Sequence, residues 1–130
     1  MDVDKLLESA REMLPFAYAP YSGYRVGAAL LTTEGKIFKG VNVENASLGL
    51  TMCAERVALY AAIAAGYRSF SLLALVAEGE SRPLPCGACR QVLGEFSRGL
   101  RVAVAGEKGE SKIFTLKELL PHPFVLQGKK

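Results

Sequence analysis

Tryptophan is absent, histidine occurs once (His122), and no apolar run exceeds Val57 to Ala65. That run is far short of the ~20 residues that span a bilayer, so no membrane helix is expected. The opening Met1-Asp2-Val3-Asp4 is acidic and lacks an apolar h-region, so no secretory signal is expected either. The three cysteines are an odd number and cannot form a closed disulfide framework. A reduced, cytoplasmic protein follows, and Asn45-Ala46-Ser47 is then a chance glycosylation sequon. Sixteen Lys and Arg against thirteen Asp and Glu give a net charge of only +3. These basic residues are scattered, with no run beyond Lys129-Lys130, which disfavours a nucleic-acid partner. No G-x-G-x-x-G, P-loop or G-x-S-x-G is present, so dinucleotide, P-loop NTPase and hydrolase-elbow readings lack their motifs.

The 130 residues suit one domain spanning 1–130, able to bury roughly two thirds of its unfolded surface. Leu6, Leu7, Ala10, Met13, Leu14 and Ala17 follow helical spacing, with Pro15 kinking or ending that helix. Strands are expected at Val26 to Thr32 and Ile37 to Val43, joined by a hairpin turn at Thr33-Glu34-Gly35-Lys36. Asn42 to Thr51 is polar and reads as loop. The Ala- and Leu-rich Ala54 to Ala65 reads as a buried helix closed by Gly66. Leu72 to Ala77 has the continuous apolar character of a strand covered on both faces. A loop at 78–85 follows, then a helix from Ala88 to Phe96 and a strand from Arg101 to Ala105. A turn at Glu107-Lys108-Gly109 leads to a strand at Lys112 to Phe114. Thr115, with Glu118 three residues on, caps a last helix through Leu120. The order α-β-β-α-β-α-β-β-α predicts an α/β fold, with strands parallel where a helix connects them.

Cys53 and the pair Cys86-Gly87-Ala88-Cys89 each stand at an expected helix start. A lone C-x-x-C is ambiguous between redox and metal. A third cysteine at a second helix start favours zinc: three thiolates leave the fourth position open, as in catalytic sites. Helix N-termini favour thiolate over thiol. His122, between two prolines, reads as a surface or interface residue and not a ligand. Glu55 follows Cys53 by two residues inside an apolar helix, where it suits a general acid/base beside an activated water. A non-ligand Glu two positions after the first ligand, followed by Pro-Cys-x-x-Cys, is the arrangement of zinc-dependent deaminases. Here it reads Cys53-Ala54-Glu55, then Pro85-Cys86-Gly87-Ala88-Cys89.

With these motifs the chain resembles the small homotetrameric cytidine deaminases over nearly its whole length. The resemblance runs through Ala19-Pro20-Tyr21-Ser22, Val26-Gly27-Ala28-Ala29-Leu30, Asn42-Val43-Glu44-Asn45-Ala46, Cys53-Ala54-Glu55-Arg56, Cys86-Gly87-Ala88-Cys89-Arg90-Gln91 and Glu118-Leu119-Leu120-Pro121. It implies a three-layer α/β/α domain with a mixed five-stranded sheet. It also implies one zinc ion per chain on Cys53, Cys86 and Cys89, with Glu55 catalytic. By the same resemblance, Asn42 and Glu44 hold the ribose 3′-hydroxyl, the backbone near Ala46 contacts the pyrimidine, and Ala54 lines the base site. Tyr24 stands where the family usually carries Phe beside the substrate, and Leu48 where some relatives place a Tyr reaching a neighbouring subunit. Phe124 matches a Phe that packs over the base in another subunit of a homotetramer with shared sites.

Read this way, the chain hydrolyses the 4-amino group of cytidine or deoxycytidine, releasing ammonia. Three thiolates with Zn²⁺ sum to −1, which should acidify water poorly. Arg56, one residue past Glu55, is the candidate counter-charge as a hydrogen-bond donor to sulfur. Arg90 suits a carboxylate or backbone partner. Three rivals share some features. A deaminase of another aminopyrimidine nucleoside, such as blasticidin S, departs from the intact Asn-Val-Glu-Asn pattern. A non-catalytic zinc module leaves Glu55 and the open position unexplained. An editor of DNA or RNA lacks its basic or aromatic stripe.

Overall fold

A computed structural model describes residues 2–79, 82–108 and 110–126. Glu80 and Ser81 of the expected 78–85 loop, and Gly109 of the expected 107–109 turn, lie outside the described residues, as does the Lys129-Lys130 pair. The elements are α1 (Val3–Arg11), β1 (Val26–Thr32), β2 (Ile37–Val41), α2 (Ala54–Ala64), β3 (Phe70–Ala77), α3 (Gly87–Phe96), β4 (Arg101–Gly106), β5 (Lys112–Thr115) and α4 (Leu116–Leu119). Single 3₁₀ turns occupy Leu14–Phe16 and Leu48–Leu50, the second inside the segment expected to be loop.

The five strands form one mixed sheet in the order β2-β1-β3-β4-β5. β1 is antiparallel to both β2 and β3, so β2 and β3 run the same way. β3 and β4, joined through α3, are parallel, and β5 returns antiparallel to β4. Because side chains alternate across a strand, each central strand feeds two cores. Ala29, Leu31, Leu72, Ala74, Val76, Ala103 and Ala105 form one core with Leu6, Leu7 and Ala10 of α1 and Leu14 of the turn that follows it. Ala28, Leu30, Leu73, Leu75, Val102 and Val104 face Ala58, Leu59 and Ala62 of α2, Leu93 of α3 and Leu116 of α4. Burial on both faces explains why β3 is a continuous apolar run. Each fully buried leucine contributes roughly 1.5–3 kcal/mol of transfer free energy.

Several boundaries differ from the sequence expectation, each for a local reason. The first helix stops at Arg11, and Pro15, which cannot donate to a continuing α-helix, sits inside a separate 3₁₀ turn that begins at Leu14. β2 ends at Val41, two residues early. Beyond it, the Val43 backbone exchanges hydrogen bonds with Met52 at 2.9 Å each way, leaving the β1 ladder. β3 begins at Phe70, whose N–H and C=O are both engaged by the Ser97 hydroxyl, at 3.0 and 3.1 Å. At the C-terminus Thr115 and Glu118 form the expected capping box.

β2 and α2 meet at a glycine. A Cβ on Gly40 would lie 2.4 Å from the Ala54 carbonyl oxygen and 2.6 Å from the Ala58 nitrogen. Both are backbone atoms of the helix and cannot rotate away. Gly40→Ala is therefore expected to destabilise by at least about 1–3 kcal/mol, as overpacking does. The change should appear as a lower urea midpoint, accompanied by displacement of the first turn of α2. An unaltered midpoint would mean that the helix stands farther from β2.

Candidate active site

β2 feeds α2 and β3 feeds α3, and the two strands run the same way. The N-termini of both helices consequently open at the same edge of the sheet, at the carboxyl ends of these strands. Cys53 is the N-cap of α2 and Cys86 the N-cap of α3, with the Cys86 sulfur accepting from the Cys89 N–H at 3.4 Å. The three Sγ atoms lie within 4.8 Å of one another. Cys86 and Cys89 are 3.3 Å apart and Cys53 and Cys86 4.0 Å. A tetrahedral ion with Zn–S bonds of about 2.3 Å needs sulfurs about 3.8 Å apart, so this donor set fits zinc. His122 is exposed and does not join the cluster.

Beside the sulfurs lies a cavity of about 400 Å³, within the usual range for small-molecule sites. Tyr24, Asn42, Ala54 and Glu55 line it with Cys53 and Cys86. Thr51, Met52, Val26 and the 82–84 segment complete the wall. Apart from Val26, which belongs to the Val26–Leu30 motif, nothing in the sequence marks these residues, because they reach the cavity only through tertiary contacts. Asn42 is buried, its Oδ1 accepting from the Val26 N–H at 2.9 Å and its Nδ2 donating to the Tyr24 carbonyl at 2.8 Å. One N–H and one lone pair of the amide remain. Glu44 lines an adjacent hollow with Tyr21, Ser22, Leu48 and Thr51, the last shared by both hollows. Ala46 is exposed and lines neither.

Phe124 stands in a different groove, against α3, and its side chain is 70% exposed. Its backbone is held by the Gln91 amide, which donates to its carbonyl at 2.9 Å and accepts from its N–H at 3.2 Å. Arg90 spans two backbone carbonyls, Pro85 at 2.8 Å and Leu119 at 2.9 Å.

Residues 1–105 match the family described as the cytidine and deoxycytidylate deaminase zinc-binding region. The chain is 46% identical to the cytidine deaminase of Sporosarcina psychrophila over 95% of this chain and 92% of that one. It is 42% identical to that of Halalkalibacterium halodurans over 98% of this chain and 97% of the relative. The crystal structure of cytidine deaminase from Burkholderia pseudomallei superposes with a TM-score of 0.91 at 47% identity, covering 95% of this chain and all of that one. The chain belongs to the cytidine and deoxycytidylate deaminase family.

Zinc is the cofactor of this deaminase fold, and the sulfur cluster is shaped for it. The electrostatics around the cluster suit a deaminase. The Cys89 thiol, and then the Arg56 guanidinium, hold the Cys53 thiol down at about 5, against its own desolvation. Cys89, the buried member, is pushed up by donating to Cys53 and by burial. Glu55 is 5% exposed, and burial lifts its carboxyl to about 7, with the Cys53 charge adding to the rise. Arg56 donates from Nη2 to the Cys53 sulfur at 3.6 Å, while its buried Nε has no hydrogen-bond partner. The guanidinium is thus committed to the sulfurs by position. Arg56→Gln is expected to lower kcat by about 10–100-fold, as loss of a group supporting metal ligands does. Substrate binding should fall less. A kcat equal to the parent's would place Arg56 outside the chemistry.

Proposed function

We propose that this chain catalyses the zinc-dependent hydrolysis of cytidine and deoxycytidine to uridine and deoxyuridine with release of ammonia, a pyrimidine-salvage reaction in the cytoplasm. The observation that carries this reading is the cluster of three cysteine sulfurs, with Cys53 and Cys86 lining one cavity together with the buried Glu55. Zinc held by Cys53, Cys86 and Cys89 supplies Lewis-acid activation of water. The Glu55 carboxylate takes a proton from the attacking water and passes it to ring N3. The water oxygen bonds to C4. Glu55 then takes the remaining proton from the new C4 hydroxyl and gives it to the amine, and the C4–N bond breaks as the C4 carbonyl forms, releasing ammonia. A carboxyl near 7 can both accept and give back that proton near neutral pH. Arg56 holds positive charge against the sulfurs. Asn42 and Glu44 receive the sugar hydroxyls, while Tyr24 and Ala54 flank the base, with the backbone near Ala46 beside it. The test is an ultraviolet assay in which cytidine absorbance is lost as uridine forms. Zinc-loaded protein that leaves cytidine unchanged would overturn the reading.

The same reading includes a homotetramer in which Phe124 of one subunit closes the site of another. It is supported by the exposure of Phe124 and by its place in a groove that shares no lining residue with the Cys53 cavity of its own chain. Phe124→Ala is expected to raise KM by about 10-fold, the scale of one lost aromatic contact. Activity should also fall on dilution as subunits separate. Light scattering that finds a fully active monomer would remove the shared site.

A further inference from the structure

The loop before β1 carries a side chain that the mechanism has not used. Ala19 and Gly23 close a turn, the Gly23 N–H donating to the Ala19 carbonyl at 2.9 Å, with Gly23 at a φ of 69°. This turn presents three donors to one carboxylate. Glu44 Oε1 accepts from the Tyr21 N–H at 2.9 Å and the Ser22 N–H at 3.0 Å, and Oε2 accepts from the Ser22 hydroxyl. The Ser22 oxygen in turn accepts from the Tyr24 N–H at 3.0 Å. Tyr24 lines the cavity that holds Cys53 and Glu55.

A carboxylate has about four acceptor positions. Three are occupied here, leaving one on Oε2, the oxygen that Ser22 holds. Glu44 is therefore not a carboxylate free to swing towards any partner. These bonds, the Ser22 hydroxyl foremost, hold its carboxyl below the usual carboxylate range, so it stays an acceptor. We propose that Ser22 is the positioning residue for sugar selection: its hydroxyl fixes Glu44 so that the one remaining lone pair demands a hydroxyl donor on the substrate. The inference rests on Glu44 being the sugar acceptor. Ser22 also couples that acceptor to the Tyr24 backbone, so sugar and base walls are set by one side chain.

The experiment compares cytidine with 3′-deoxycytidine on zinc-loaded protein. The parent should favour cytidine. Ser22→Ala should reduce that preference by about 10-fold, as loss of a hydrogen bond to a charged group does. The loss should fall mainly on KM for cytidine, and Ser22→Thr, which keeps the hydroxyl, should restore the preference. Ser22→Cys keeps the size but donates weakly, and it provides the same comparison should Ala unseat the loop. If Ser22→Ala lowers kcat/KM equally for both nucleosides, Ser22 only builds the turn and the proposal is overturned. A preference that survives Ser22→Ala but is lost in Glu44→Ala overturns Ser22 alone. A preference that survives Glu44→Ala overturns the sugar role of Glu44 and Ser22 together, while deamination itself stands.

Discussion

Glu55→Gln is expected to retain zinc and fold while turnover drops by about 10²–10⁴, the usual worth of a positioned general acid/base. Glu55 sits in the first turn of α2, two residues from Cys53, and its side chain is buried against the cavity. Glutamine has nearly the same shape, so the packing around Ala54 and Ala58 need not adjust. It also removes a carboxylate whose burial is unfavourable, so thermal stability should not fall. What it cannot do is carry a proton between water, N3 and the amine. Steady-state kinetics with metal analysis of the same sample checks this. A variant with more than a tenth of the parent kcat would assign the proton transfer elsewhere.

Cys89→Ala should remove the metal and with it all measurable activity. Cys89 is fully buried in the first turn of α3, next to the Cys86 sulfur. With two sulfurs left, the site falls below the three protein ligands of catalytic zinc. The attacking water then loses its Lewis-acid activation altogether, a far larger loss than removal of the proton carrier. Two measurements separate this from misfolding. Elemental analysis should find about one zinc per parent chain and none in the variant. Added zinc should raise the melting temperature of stripped parent protein by mass action and leave the variant unmoved. Stoichiometric zinc in active Cys89→Ala would mean that another residue completes the ligand set.

Much of this was legible in the amino-acid order, wherever the controlling interaction is local. Cys53 and Cys86 read as helix starts because an N-cap depends on the residues that immediately follow it. The Thr115–Glu118 capping box and the apolar β3 run were visible for the same reason. So was the spacing of Cys53, Glu55 and the Cys86–Cys89 pair, which carries the chemistry. The sequence by itself determined which groups are available: three sulfurs, one proton carrier beside them, and a cationic side chain next to it.

Tertiary structure alone decided how those groups meet. Cys53 and Cys86 are separated by a helix, a strand and a loop, and come within 4.0 Å only because β2 and β3 flank β1 in the same direction. Gly40 matters because the backbone of α2 crosses it, a contact that no pattern within β2 reveals. Asn42 and Glu44 are only two residues apart, yet Asn42 is tied to Tyr24 and Val26, and Glu44 to Tyr21 and Ser22, across adjacent hollows. The physical reason is that β2 has already ended. The Asn42 N–H still donates to the Val26 carbonyl at 3.3 Å, but Val43 and Glu44 bond Met52 and Tyr18 instead of β1, so strand alternation no longer governs where these two side chains point.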